Sequence, residues 1–269
     1  MKETKWYCRY LVGSDPTGIT GIKSEACSSL FCGDRTRPCS SIEVGWKIVE
    51  GLGISSLSIS IICNTTQKDQ ITVLSHHRVV ISSGPSTKPE LFVSPSSSSS
   101  SELEGDGMVD VSGGRLWIHQ VDVVLSDSPS LIFIRMVGGH LTIEVCSFVG
   151  PKGNSPSNID SSTDLCEWET SVLKLDHATT IIKQTDLTYL SQGAINMEGG
   201  NLTIETSAFH DNSPLSSSFP SLRHNIRCSE GGEIDVGSLN GGDGMETPST
   251  WISASDCQLP CGSNPTTWI

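Results

Sequence analysis

Apolar and polar residues alternate along this chain in short groups, and several groups are centred on a pair of small residues. Val109 and Val111 precede Gly113-Gly114, Leu116 and Ile118 follow, and Val123 lies beyond. Ile134 and Met136 precede Gly138-Gly139, with Leu141, Ile143, Cys146 and Phe148 after. Leu173 and Leu175 precede His177-Ala178, where the rhythm persists without glycine, and Ile182 and Leu187 follow. Ile195 and Met197 precede Gly199-Gly200, with Leu202, Ile204 and Phe209 after. A worn copy runs from Cys228 through Gly231-Gly232 to Ile234 and Val236. A period of two on both sides of a small pair is that of half-buried strands meeting at a tight corner. Glycine suits the corner because it adopts positive φ with no Cβ penalty. One such unit buries too little to fold alone, whereas stacked units bury continuous columns of side chains.

The small pairs begin at positions 113, 138, 177 and 199, close to one coil each once loops are allowed for. Pro151 to Asn158 and Ser161 to Glu169 read as an insertion that lengthens one spacing. Upstream, Leu57, Ile59 and Ile61 alternate, and Ile71 to Ile81 reads as a coil with His76-His77 at its corner. Lys88 to Val93 adds a strand. The run from Ser40 to Leu52 differs: Ser40 and Glu43 are spaced as a capping box, and Ile42, Trp46 and Val49 share one helical face. A solenoid has an open apolar end, and a short amphipathic helix is the expected plug. The pattern predicts an all-β, single-stranded parallel β-helix over 21–262, with a capping helix at about 40–52 and a Ser-rich loop at 94–107. An N-terminal extension (1–20) and a C-terminal tail (263–269) flank it.

Composition changes this picture little. Of 269 residues 36% are hydrophobic and 17% charged, and 44 are serine; the aliphatics supply the columns, and serine and threonine the outward positions and loops. A net charge of −13 repels phosphate backbones and argues against nucleic acid as a partner. No apolar run is long enough to span a bilayer as a helix. The ten cysteines exceed the usual complement of a reduced compartment. Cys27, Cys32 and Cys39, and likewise Cys257 and Cys261, flank the patterned region and would suit disulfide staples. Zinc is the competing use, but no Cys-x-x-Cys pair occurs. Glycosylation triplets stand at Asn64-Thr65-Thr66 and Asn201-Leu202-Thr203. Residues 1–20 carry Lys2, Lys5 and Arg9 but neither the apolar core nor the cleavage site of a signal peptide. A truncated or internal start is therefore expected, and with it an extracellular or cell-surface protein that is part of a longer chain or a monomer.

The segment RPCSSIEVGW followed by coils reading GGHLTIEVCSF and GGNLTIETSAFHDN resembles pectin-lyase-like right-handed β-helix proteins. The resemblance is closest to large β-helix surface proteins of anaerobic flagellate protists. The coil with Phe209 and a trailing Asn212 is also similar to repeats of chlamydial polymorphic membrane proteins. It covers roughly residues 21–262 and implies a right-handed β-helix at a cell surface, but no particular reaction.

Carbohydrate-active β-helices need clustered Asp, Arg and Lys on one face. Asp110, Glu144, Asp176 and Glu198 do not share one coil position, and read as a solvated outer surface. His76 and His77, adjacent on a strand, would point to opposite faces. His119, His140, His177, His210 and His224 are scattered, and no Gly-x-Ser-x-Gly nucleophile motif occurs. Cys146 reads as a core residue rather than a reactive thiol. The Gly-Gly pairs are corners, not phosphate cradles, because a strand follows instead of a helix. Trp46, Trp117 and Trp168 are the side chains that could stack on sugars. No catalytic, cofactor-binding or metal-binding residue is therefore expected, and no cofactor. The sequence points to a non-enzymatic adhesive or structural protein whose partners are glycans or other surface proteins. A polysaccharide lyase or glycoside hydrolase is the alternative.

Overall fold

The computed structural model describes residues 8–12, 42–51, 55–61, 64–83, 88–94, 107–126, 132–150, 172–188, 190, 194–210, 226–229, 232–239 and 252–253. Cys27, Cys32, Cys39, Cys257, Cys261, Ser40, Trp168, His224, most of the Ser-rich loop, the 151–169 insertion and the C-terminal tail lie outside them.

The extension contributes β1 (Cys8–Val12), the helix α1 spans Ile42–Gly51, and a partial coil of β2 (Ser56–Ile61) and β3 (Thr65–Gln67) follows. Complete coils then repeat. The first is β4 (Ile71–Val73), β5 (Arg78–Ser83) and β6 (Glu90–Val93); the next is β7 (Val109–Ser112), β8 (Arg115–His119) and β9 (Asp122–Leu125). They continue as β10 (Ile134–Val137), β11 (His140–Glu144), β12 (Ser147–Val149), then β13 (Leu173–Asp176), β14 (Thr179–Lys183), β15 (Asp186–Thr188). Beyond them come β16 (Ile195–Glu198), the long β17 (Asn201–His210), β18 (Ile226–Ser229), β19 (Glu233–Leu239) and β20 (Ile252–Ser253).

Every strand pairing is parallel and joins equivalent strands of successive coils, which makes the molecule a parallel β-helix. Face 1 stacks β4, β7, β10, β13, β16, β18 and β20; face 2 stacks β1, β2, β5, β8, β11, β14, β17 and β19. Face 3 stacks β3, β6, β9, β12 and β15 and ends on the second half of β17, which turns the corner between faces 2 and 3 as one strand. The worn copy is a true coil, since Cys228 lies beside Met197 and Ile234 beside Leu202.

The register turns local alternation into columns. On face 1, Val109, Ile134, Leu173 and Ile195 are lateral neighbours, and so are Val111, Met136, Leu175 and Met197. On face 2, Ile81, Ile118, Ile143, Ile182 and Ile204 form one column. On face 3, Leu91, Val123, Phe148, Leu187 and Phe209 form another. All are buried; each aliphatic side chain taken from water contributes roughly 1.5–3 kcal/mol before entropy is counted. Phe148 meets Phe133 with ring centroids 5.9 Å apart, an added aromatic contact inside the core.

Two kinds of corner hold the coils. Between faces 1 and 2, Gly113, Gly138, Gly139, Gly199 and Gly200 have φ of 66–79°, and His177 takes the same region at 48°. Corner amides reach adjacent coils: Gly138 N–H donates to Asp176 O at 2.7 Å and Thr179 N–H to Gly139 O at 3.0 Å. Between faces 2 and 3, in the four coils where this turn is described, it is made by a single left-handed residue other than glycine: Gln120, Val145, Gln184 or Thr206, at φ of 46–56°. The next residue points inward. Cys146 Sγ donates to Glu144 O (3.3 Å), Thr185 Oγ1 to Lys183 O (2.8 Å) and Ser207 Oγ to Glu205 O (3.0 Å). Each side chain thus closes its own turn by satisfying a carbonyl two residues back.

The expected helix is present and joins the core through Ile42 and Trp46, packing against β1 and β2. Its Glu43 is buried, and Oε1 accepts the amides of Lys68 (2.5 Å) and Asp69 (3.0 Å). Glu43 thus ties the helix to the turn after β3; its expected capping-box partner, Ser40, lies outside the described residues.

Candidate functional site

Each outward residue of a strand lies about 4.8 Å from its counterpart on the next coil. Outward columns therefore assemble side chains far apart in sequence, and two groups stand out.

The first surrounds Trp117 on face 2. Arg115, Trp117 and His119 alternate with the buried Leu116 and Ile118, so all three face outward. On the preceding coil Arg78, Val80 and Ser82 are their register partners; on the following coil they are His140, Thr142 and Glu144. Trp117 is 38% exposed, and its ring lies 5.7 Å from that of His119. Arg78, Arg115 and His140 are all exposed. Among the described residues neither guanidinium makes an ion pair. Two like charges directly opposite on a ladder destabilise it; at about 6 Å in water the repulsion is roughly 0.7 kcal/mol. On a chain of net charge −13 this is a local island of positive charge beside an exposed indole. On the N-terminal side its central column runs through Ser58, which is buried, to Arg9 of β1.

The second group lies on face 1. Asp110 pairs with Arg135 across adjacent coils at 3.6 Å. Asp176 Oδ1 meets His177 Nδ1 at 2.5 Å. Glu198 is the register partner of Asp176, and Lys174 is that of Arg135. Asp176 and Glu198, each one residue before its corner, are lateral neighbours, while Asp110 and Glu144 stand at other coil positions. The His177 ring packs over Gly199, where a Cβ would meet it at 3.0 Å. His177 is exposed, so this corner stands open to water.

Of the remaining predicted side chains, Trp46 is buried and meets His77 edge-on, with centroids 5.4 Å apart, and is no sugar platform. His76 and His77 do not diverge as strand residues would. They sit in the turn before β5 with rings 4.0 Å apart, His76 exposed and His77 buried; Leu74 N–H donates to His77 Nδ1 at 3.2 Å. Cys146 is a free, buried thiol. Burial pushes it up to about 11, although backbone hydrogen bonds at Val121 and Glu144 pull the other way, so it stays protonated and unreactive at neutral pH. His119 and His140 are not scattered in space but flank Trp117. The aligned copies held the signal for this, had their outward columns been read across coils as well as their inward ones. Among the described residues no group of three or more His, Cys, Asp or Glu side chains is placed to hold a metal ion. Among them, too, no helix is long and apolar enough to cross a membrane.

No protein-family model matches the chain, and no curated protein matches it. Among solved structures it is similar to a pectin methylesterase from Aspergillus niger in deglycosylated form, with 12% identity over 91% of this chain and 93% of that one, at a TM-score of 0.41. A less completely deglycosylated form of the same enzyme matches at 12% identity over 95% and 97%, also with a TM-score of 0.41. At that similarity the likeness adds nothing about activity, and the parallel β-helix rests on the strand ladders themselves.

Proposed function

We propose that the protein is a non-enzymatic, extracellular or surface-displayed β-helix whose face 2 binds anionic glycans. The observation that supports this is the exposed indole of Trp117 beside Arg78 and Arg115, two opposed cations with no carboxylate partner among the described residues. A sugar ring stacks its C–H face on an indole, while guanidinium forks take up carboxylate or sulfate groups. Arg78, Arg115 and Trp117 are all exposed, whereas acid–base chemistry needs reacting groups held in a site that excludes water. Exposed faces favour contacts that are weak singly and strong in number.

The test is binding of the full chain to uronate-rich, sulfated and neutral polysaccharides at several salt concentrations. Acidic polymers should bind, with affinity falling as salt rises. Trp117→Ala and Arg78→Ser should each weaken binding by about tenfold, equivalent to roughly 1.4 kcal/mol. Equal binding to neutral polymers, or unchanged binding by both variants, would refute the reading. The hydrolase alternative draws on Asp176–His177 beside Glu198. It predicts release of reducing ends from such polymers that Asp176→Asn abolishes.

A further inference from the structure

The two glycosylation triplets look alike in sequence and differ in the fold. Asn64 is engaged at both ends of its amide: Nδ2 donates to Glu90 Oε2 at 3.0 Å, and Oδ1 accepts Glu90 N–H at 3.1 Å. This bracket joins the partial coil to the next one, from the residue ahead of β3 to the first residue of β6. Asn201 opens β17, directly after the Gly199-Gly200 corner. Burial of Leu202 fixes the alternation, so Asn201 and Thr203 both face outward, with Asn201 exposed. Its backbone N–H is used by Ala178 O (2.9 Å), while its side-chain amide has no hydrogen-bond partner among the described residues. The register neighbours are the half-buried Thr179 and the exposed Glu233. The glycines before it add no side chain to the space above the amide.

We infer that Asn201 is an N-glycosylation site and that Asn64 is a structural bracket left unmodified. The inference rests on the extracellular part of the proposed function and not on glycan binding. In the transfer, Asn201 Nδ2 forms a bond to the anomeric carbon of an oligosaccharide carried on a lipid diphosphate. The anomeric C–O bond breaks, the lipid diphosphate leaves with the electron pair, and the amide gives up one proton. Asn201 stands three strands from Trp117 on the same face, about 14 Å at the ladder spacing. An attached glycan would therefore rise from the same face as the Trp117 patch.

The experiment expresses the full chain behind a cleavable secretion signal in a eukaryotic host. Intact mass and glycopeptide mapping of lysate and medium are read with and without peptide-N-glycosidase. One glycan at Asn201 is expected, lost in Asn201→Gln and in Thr203→Val, which keeps the asparagine, and retained in Asn64→Gln. An unmodified chain in both fractions overturns the inference, as does a glycan on Asn64, alone or together with Asn201. Binding to acidic polysaccharide should survive loss of the Asn201 glycan, so failure here is distinguishable from failure of the binding proposal.

Discussion

Replacing Gly139 by alanine tests the corner architecture, with Gly138 beside it as an internal control. Both glycines are left-handed, at φ of 77° and 66°. Alanine at either site meets the same backbone penalty of roughly 1–2 kcal/mol, partly offset by a less flexible unfolded chain. Their surroundings differ. A Cβ at Gly138 meets nothing within 4 Å, whereas one at Gly139 would lie 2.3 Å from Gly114 O and 2.8 Å from Gly113 C. Those are backbone atoms of the neighbouring coil, so no rotamer relieves the overlap. Relief requires separating two coils joined there by His140 N–H to Gly114 O (3.0 Å) and Gly113 N–H to Val137 O (2.9 Å). Overpacking of this kind adds about 1–3 kcal/mol, more where hydrogen bonds are lost. Gly138→Ala should therefore cost about 1 kcal/mol and Gly139→Ala about 3 kcal/mol or more in urea-induced unfolding followed by circular dichroism. Equal losses at the two sites would refute the claim that coil-to-coil contact, and not backbone conformation alone, demands glycine at position 139.

Thr180 stands in the inward column between Leu141 and Leu202, buried, with Oγ1 lacking a partner among the described residues. Thr180→Val should stabilise the fold by about 1 kcal/mol in the same assay, and a loss of stability would mean that the hydroxyl is satisfied. Val145 is β-branched at φ 56°, a region asparagine tolerates far better. Val145→Asn should raise the unfolding midpoint, while the same exchange at Val149, on an ordinary strand, should not. Cys146 stands near 11 when folded against an ordinary 9.0. Between those values the folded chain keeps a proton that the unfolded chain has released, so stability should fall as pH rises from about 9 to about 11. That loss, on the order of 2 kcal/mol, should be absent from Cys146→Ala.

The inward half of this molecule was legible in the chain. Alternation about Gly113-Gly114, Gly138-Gly139 and Gly199-Gly200 is a local signal of period two, and burial against water follows from it whichever coils stack. The helix at Ile42 and the worn coil at Cys228 were readable for the same reason. The turn between faces 2 and 3 was not, because Gln120, Val145, Gln184 and Thr206 carry no glycine; stacking on neighbouring coils holds them left-handed against their own preference. Nor was the role of Glu43 legible, since the amides it satisfies belong to a turn 25 residues away. The outward columns depended most on tertiary structure. Arg78 lies in a coil without a glycine pair, so only the ladder of β5 against β8 places it beside Arg115 and next to Trp117. Sequence determines which side of each strand meets water, because one period decides it. Which side chains then stand together depends on where each loop returns the chain to the stack, and that is settled only when the coils are laid one on another.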